Sequence, residues 1–146
     1  MNARSATAVW QGDGMTGTGT LDTLSGALKA APYSFKTRFQ SEDGKAGTNP
    51  EELIAAAHAG CFTMALSFAL SKAGHAPTRL STTAEVTVKQ GEAGFEISAI
   101  KLIVKAQVPG VQDAEFQALA AGAKAGCPIS KALAAVPSIT LEASLI

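Results

Sequence analysis

The stretch Thr48-Asn49-Pro50-Glu51-Glu52-Leu53-Ile54-Ala55-Ala56-Ala57-His58-Ala59-Gly60-Cys61-Phe62-Thr63-Met64-Ala65-Leu66-Ser67-Phe68-Ala69-Leu70-Ser71 decides the fold. Its opening residues are a helix start: Asn49 suits the N-cap, Pro50 suits the first helical position, and Glu52 stands where a capping box needs an acid. From Leu53 to Ser71 no residue is charged. The pattern predicts one helix to about Ala73, stopped by Gly74, with Pro77 forbidding continuation. The run is nearly as long as a membrane span. It is diluted by Ala, Gly, Ser, Thr and His58, it stands alone, and no aromatic or basic anchors flank it. It therefore reads as a helix apolar on every face and buried in protein rather than lipid.

Working outward, residues 79–90 and 95–108 alternate apolar with polar positions on either side of Gly91 to Gly94, as a long antiparallel hairpin does. Asp113 to Ala125 places Phe116, Leu119, Ala120 and Ala123 on one face of an amphipathic helix ended by Gly126. Cys127 and Pro128 open a second, shorter helix through Val136, and Ser138 to Leu145 is a closing strand. On the other side, residues 7–11 and 16–24 form a hairpin around Gly12-Asp13-Gly14, although Gly17 and Gly19 weaken the second strand. Tyr33 to Phe39 alternates aromatic and polar residues, which predicts a short strand with Lys36 and Arg38 on one face. A polar loop, SEDGKAGT, leads back to the long helix.

At 146 residues and 47% hydrophobic content, the chain is expected to be one domain, residues 1–146, with room for a real core. Its 12 basic residues balance 12 acidic ones and are scattered, so neither nucleic acid nor an anionic membrane is an expected partner. The amino terminus lacks the basic-then-apolar pattern of a secretory signal, and the cytoplasm is the expected compartment. There, two cysteines point to inert core thiols or to redox chemistry rather than to a structural disulfide.

Cys61 sits inside the apolar helix, where burial alone raises a thiol pKa and blunts its nucleophilicity. A reactive Cys61 needs positive charge nearby, and spacing nominates His58, one turn back. The plainer reading makes both residues core. Cys127 stands where an N-cap belongs, directly before Pro128, so first-turn amides are placed to stabilise its thiolate. Its plainer reading is a small apolar residue filling a helix junction. A zinc site built from His58, Cys61, His75 and Cys127 is a rival, although no ligand pair has closing spacing. A second rival is a non-enzymatic ligand binder or oxidation sensor.

Three blocks, PYSFKTRF, GTNPEELIAAAHAGCFTMAL and AGCPISKAL, closely resemble the family of osmotically inducible protein C (OsmC) and its organic hydroperoxide resistance (Ohr) relatives, the OsmC branch more than the other. The resemblance covers essentially the whole chain. It implies an α+β fold with antiparallel sheets packed on the long apolar helix, and an intertwined homodimer with its active sites at the subunit interface. It also implies thiol-dependent reduction of organic hydroperoxides, and of hydrogen peroxide less well, in oxidative and osmotic stress defence. Cys61 falls at the position of the peroxidatic cysteine, Cys127 at that of the second one, Arg38 at that of the activating arginine, and Glu51 at that of the carboxylate that orients it.

On this reading no metal, flavin or haem is needed, and an external dithiol reduces the product disulfide. Phe62, Met64 and Phe68 are candidates to line an alkyl pocket, or simply core. Along one helix, Glu51 and Cys61 are separated by a rise of about 15 Å. Arg38 and Glu51 are therefore expected either to serve the Cys61 of the partner subunit, or to be brought near by a break at Gly60.

Overall fold

The structure, a computed structural model, describes residues 2–146. The fold is α+β. Its elements run β1 (Ala6–Gln11), β2 (Thr18–Thr23), β3 (Ala31–Tyr33), α1 (Phe35–Phe39), α2 (Pro50–Lys72), β4 (Arg79–Gly91), β5 (Gly94–Gln107), α3 (Asp113–Gly126), α4 (Pro128–Ala132) and β6 (Ser138–Leu145). They group into two compact units, one ending at Leu53 and one beginning at Ile54, with α2 starting in the first and running through the second.

The first unit is the antiparallel sheet β1-β2-β3 with α1 and the start of α2. Register places Trp10, Gly19 and Tyr33 side by side across the three strands. The two rings lie 5.3 Å apart, over the glycine. A Cβ at Gly19 would stand 2.5 Å from the Tyr33 ring and 2.7 Å from the Trp10 ring, so the glycine that looks like a flaw in the strand is what lets the aromatics close over it.

The stretch expected as a strand from Tyr33 to Phe39 is a strand only to Tyr33. It then turns into α1, because Ser34 and Thr37 form a reciprocal capping box: Thr37 N–H donates to Ser34 Oγ at 3.1 Å, and Ser34 N–H donates to Thr37 Oγ1 at 2.8 Å. Phe35 and Phe39, one helical turn apart, stack at 5.0 Å. Lys36 and Arg38 consequently do not share a strand face.

The start of α2 follows the sequence closely. Asn49 Oδ1 accepts the N–H of Glu52 at 2.8 Å. The returning carboxylate departs from expectation, since Glu52 Oε2 takes the Thr48 hydroxyl at 2.6 Å. At the other end Gly74 adopts φ +87°, and His75 N–H returns to the Leu70 carbonyl, which stops the helix where expected.

The second unit is the sheet β4-β5-β6 packed on α2 and α3. The β4–β5 hairpin spans Arg79↔Gln107 to Gly91↔Gly94, with a bulge at Thr87 and Val88. β6 lies parallel to β5, so this sheet is mixed rather than purely antiparallel. The reason is topological: α3 and α4 form a crossover that returns the chain to the same end of the sheet.

Leu102, Val104 and Ala106 of β5 meet Phe62, Leu66 and Leu70 of α2 and Phe116, Ala120 and Ala123 of α3. The expectation that α2 would be buried on every face is corrected by this packing. Only the stripe at every fourth position, His58, Phe62, Leu66 and Leu70, is fully covered, while Met64 and Phe68 stand 64% and 72% exposed. Within the second unit one sheet and α3 cover this single stripe of a helix that is apolar all round. By length and composition α2 also suffices to cross a membrane, but here it serves as the core helix of the second unit.

Replacing Asn49 with Ala is expected to lower stability by about 1 kcal/mol, while Asn49→Asp, which keeps the cap acceptor, stays near wild type. Urea unfolding followed by circular dichroism checks this, and equal midpoints for wild type and Asn49→Ala would show that the cap does not carry the start of α2.

Candidate active site

Cys61 lies on α2, partly exposed, and Cys127 lies fully buried at the junction of α3 and α4. Their sulfurs are 2.9 Å apart, in contact but well outside the covalent distance of about 2.05 Å. Local chain geometry fixes Cys127. Its N–H closes α3 on the Ala123 carbonyl, its φ of −59° and ψ of 130° break the helix, and Pro128 starts α4 immediately. The sulfur then occupies the place of an N-cap oxygen and accepts the N–H of Ser130 at 3.4 Å. Behind Ser130, its Oγ is 2.7 Å from Nε2 of His58, which is completely buried one turn before Phe62.

The first unit holds the other expected pair. Arg38 Nε donates to both Glu51 carboxylate oxygens, at 3.2 and 3.1 Å, and Nη2 donates to Oε1 at 2.6 Å. This is a side-on fork that fixes the plane of the guanidinium. Glu51 is nearly buried, with a side chain 11% exposed, whereas that of Arg38 is 37% exposed and rests over the Phe39 ring at 4.8 Å. The four expected residues thus fall into two pairs, each complete within its own unit. α2 is unbroken through Gly60, which removes the fold-back option.

His58 is not the cation for Cys61, since its Nε2 is engaged by Ser130. The zinc alternative is divided as well, because His75 pairs with Glu115 at 3.2 Å while His58 pairs with Ser130. Of the three candidates for a pocket, Phe62 is core and Phe68 points outward; Met64 borders an open groove of about 700 Å³ with Gly60, Ser67, Arg79 and Leu80. Ser130 was not foreseen. Its signal is the spacing Cys127-Pro128-Ile129-Ser130, in which the fourth residue supplies the amide that an N-cap side chain bonds.

The sequence model of the family described as OsmC-like protein matches residues 42–142. Over 138 residues the chain is 49% identical to Peroxiredoxin OsmC of Escherichia coli K12, covering 94% of this chain and 93% of that one. The chain belongs to the OsmC family. It is also 36% identical over 97 residues to the organic hydroperoxide resistance protein OhrA of Bacillus subtilis, covering 65% of this chain and 66% of that one. Among solved structures, OhrB of Bacillus subtilis superposes with a TM-score of 0.74 at 25% identity, covering 96% of this chain and 98% of that one. An OsmC-like protein of Mycoplasma pneumoniae, 15% identical with a TM-score of 0.75 over 99% of this chain and 98% of that one, shares the fold.

Within this OsmC-family chain the two thiols are electrostatically unequal. Burial pushes the Cys61 thiol up, and its hydrogen bond to Cys127 pushes it further. Burial also opposes the Cys127 thiolate, but the hydrogen bonds from Cys61 and from the Ser130 amide and hydroxyl outweigh it, and the Cys127 thiol is pushed down. Sulfur positions alone accommodate Cys127 as donor to Cys61. The two Ser130 donors converging on Cys127 decide for the opposite sense, with the shared proton on Cys61.

Burial holds the His58 imidazole below its ordinary range. The unfolded chain therefore binds a proton that the folded chain resists, so the stability tied to neutral His58 is complete above the unfolded value of about 6.5 and is lost as pH falls through the folded value. Denaturant midpoints at pH 7.5 and 5.5 are expected to drop further for wild type than for His58→Gln. Equal drops would mean that His58 does not titrate with unfolding.

Proposed function

We propose that this chain is a thiol-dependent peroxidase that reduces organic hydroperoxides, and hydrogen peroxide less well, through Cys61 and Cys127. The carrying observation is the pair of free thiols in contact at 2.9 Å, of which only Cys61 is accessible to a substrate. The relatives named Peroxiredoxin OsmC and organic hydroperoxide resistance protein support the same chemistry.

The Cys61 thiolate attacks the distal peroxide oxygen, the O–O bond breaks, and the alkoxide leaves as alcohol after taking a proton. Cys61 is then a sulfenic acid. Cys127 thiolate attacks its sulfur, hydroxide leaves, and a Cys61–Cys127 disulfide forms. An external dithiol reduces that disulfide by exchange, as the cytoplasm is equipped to do.

Cys61 needs a cation to ionise, because its own unit pushes its thiol up. Arg38 is permanently charged and Glu51 fixes its plane, so the pair suits both a thiolate and a peroxide oxygen. Unbroken helix between Glu51 and Cys61 rises about 15 Å, which keeps that carboxylate from its own chain's thiol. Arg38 and Glu51 accordingly serve Cys61 of a second copy.

The uncovered apolar surface supports a homodimer. Met64 and Phe68 project from α2, and Val9, Trp10, Met15 and Leu24 of the first unit are also exposed. Among the described residues before Ile54, no apolar side chain is fully buried, so that unit has no core of its own.

The test is consumption of cumene hydroperoxide and hydrogen peroxide with dithiothreitol as reductant. Cys61→Ser is expected to lose all activity, Cys127→Ser to form no intramolecular disulfide and to overoxidise when peroxide outruns the dithiothreitol, and Arg38→Ala to slow Cys61 oxidation by about 10²-fold. Retained activity in Cys61→Ser would overturn the assignment, and oxidation without sustained consumption in wild type would favour a sensor.

A further inference from the structure

We propose that His58 and Ser130 are positioning residues for the second chemical step, in which they hold Cys127 ready to attack the oxidised Cys61. The inference rests on the two-thiol reading above and extends it to residues that touch no substrate.

The argument begins with a buried orphan. Among the described residues, Nδ1 of His58 has no hydrogen-bond partner and no access to solvent. An N–H left unpaired in that position costs more than a lone pair left unpaired, since a lone pair is the weaker demand. The proton of the neutral ring therefore sits on Nε2, and Nε2–H donates to Ser130 Oγ across the 2.7 Å contact.

A hydroxyl oxygen that accepts from His58 has its own proton free to donate, and a hydrogen bond from the Ser130 side chain is among the causes that push the Cys127 thiol down. The Ser130 amide donates to the same sulfur. Cys127 is fully buried, and a buried thiolate persists only with donors aimed at it. Without His58, the Ser130 hydroxyl is free to turn to the carbonyl four residues back, as helical serines do, and the sulfur loses one of its donors.

This arrangement bears on one half-reaction. Before peroxide arrives, the proton between the sulfurs rests on Cys61. Once Cys61 has become a sulfenic acid, Cys127 must attack as a thiolate: an S–S bond forms, the S–O bond breaks, and hydroxide departs with the bonding pair. The His58–Ser130 chain keeps that thiolate formed and pointed. Losing that chain would let the shared proton return to Cys127 and leave Cys61, so its loss slows the second step and not the first.

The experiment uses the full-length protein, reduced and mixed with one equivalent of cumene hydroperoxide, with acid-quenched mass spectrometry resolving sulfenic acid, disulfide and sulfinic acid over time. Ser130→Ala and His58→Phe are expected to slow disulfide formation about ten- to a hundredfold and to raise the sulfinic fraction under excess peroxide, with Cys61 oxidation no slower than in wild type. Ser130→Thr, which keeps the hydroxyl, and His58→Gln, which keeps a donor near the Nε2 position, are expected to recover the disulfide rate. Because Ser130→Ala removes a single oxygen, it guards against a misfolded His58→Phe. Disulfide formation at the wild-type rate in Ser130→Ala overturns this inference alone, as does equal slowing of both steps. A wild type that forms no Cys61–Cys127 disulfide overturns the proposed function and this inference with it.

Discussion

An α-helix is a ruler, and the rest of this protein is arranged around the length of α2. A continuous 23-residue helix with Glu51 in its first turn and Cys61 near its middle keeps the carboxylate and the thiol apart by a fixed rise. The chain instead pairs these groups two by two. Arg38 and Glu51 are locked together where α2 begins, and Cys61 and Cys127 meet further along. On the proposed reading, two copies are needed to join an ionising cation to the thiol it activates. The same helix supplies a reason for them to join, since it is apolar on faces that its own sheet does not reach.

The electrostatics of the thiol pair follow the same division. Inside one chain burial pushes the Cys61 thiol up, while hydrogen bonds from Ser130 help push the Cys127 thiol down, and Cys61 keeps its proton. A chain with both thiols poised alike would gain nothing from holding two kinds of donor. On the proposed reading the cation that ionises Cys61 is a guanidinium from a second copy, while the groups that hold Cys127 are local.

Much of this was legible in the sequence because it depends on local rules. The start of α2, its stop at Gly74, the long hairpin and the cap position of Cys127 all follow from residue types at fixed spacing. The passage from Ser34 to Phe39 was misread because aromatic and polar residues alternate with the period of a strand, whereas the Ser34–Thr37 capping box and the Phe35–Phe39 stack, both specific to a helix, prevail. The parallel placement of β6 and the uncovered side of α2 depend on how distant segments meet, which no spacing encodes. The His58–Ser130 contact joins residues 72 positions apart, and neither residue alone announces the other.

The aromatic pair over Gly19 has a spectroscopic consequence. Trp10 is the only tryptophan and Tyr33 the only tyrosine, and both lie in the first sheet, with the Trp10 indole N–H held by the Asp13 carbonyl. Intrinsic fluorescence of the monomeric chain is thus a signal from the unit that carries Arg38, while both sulfurs belong to the other. Any change in emission on adding an oxidant is a report from one unit, while the two sulfurs it acts on belong to the other.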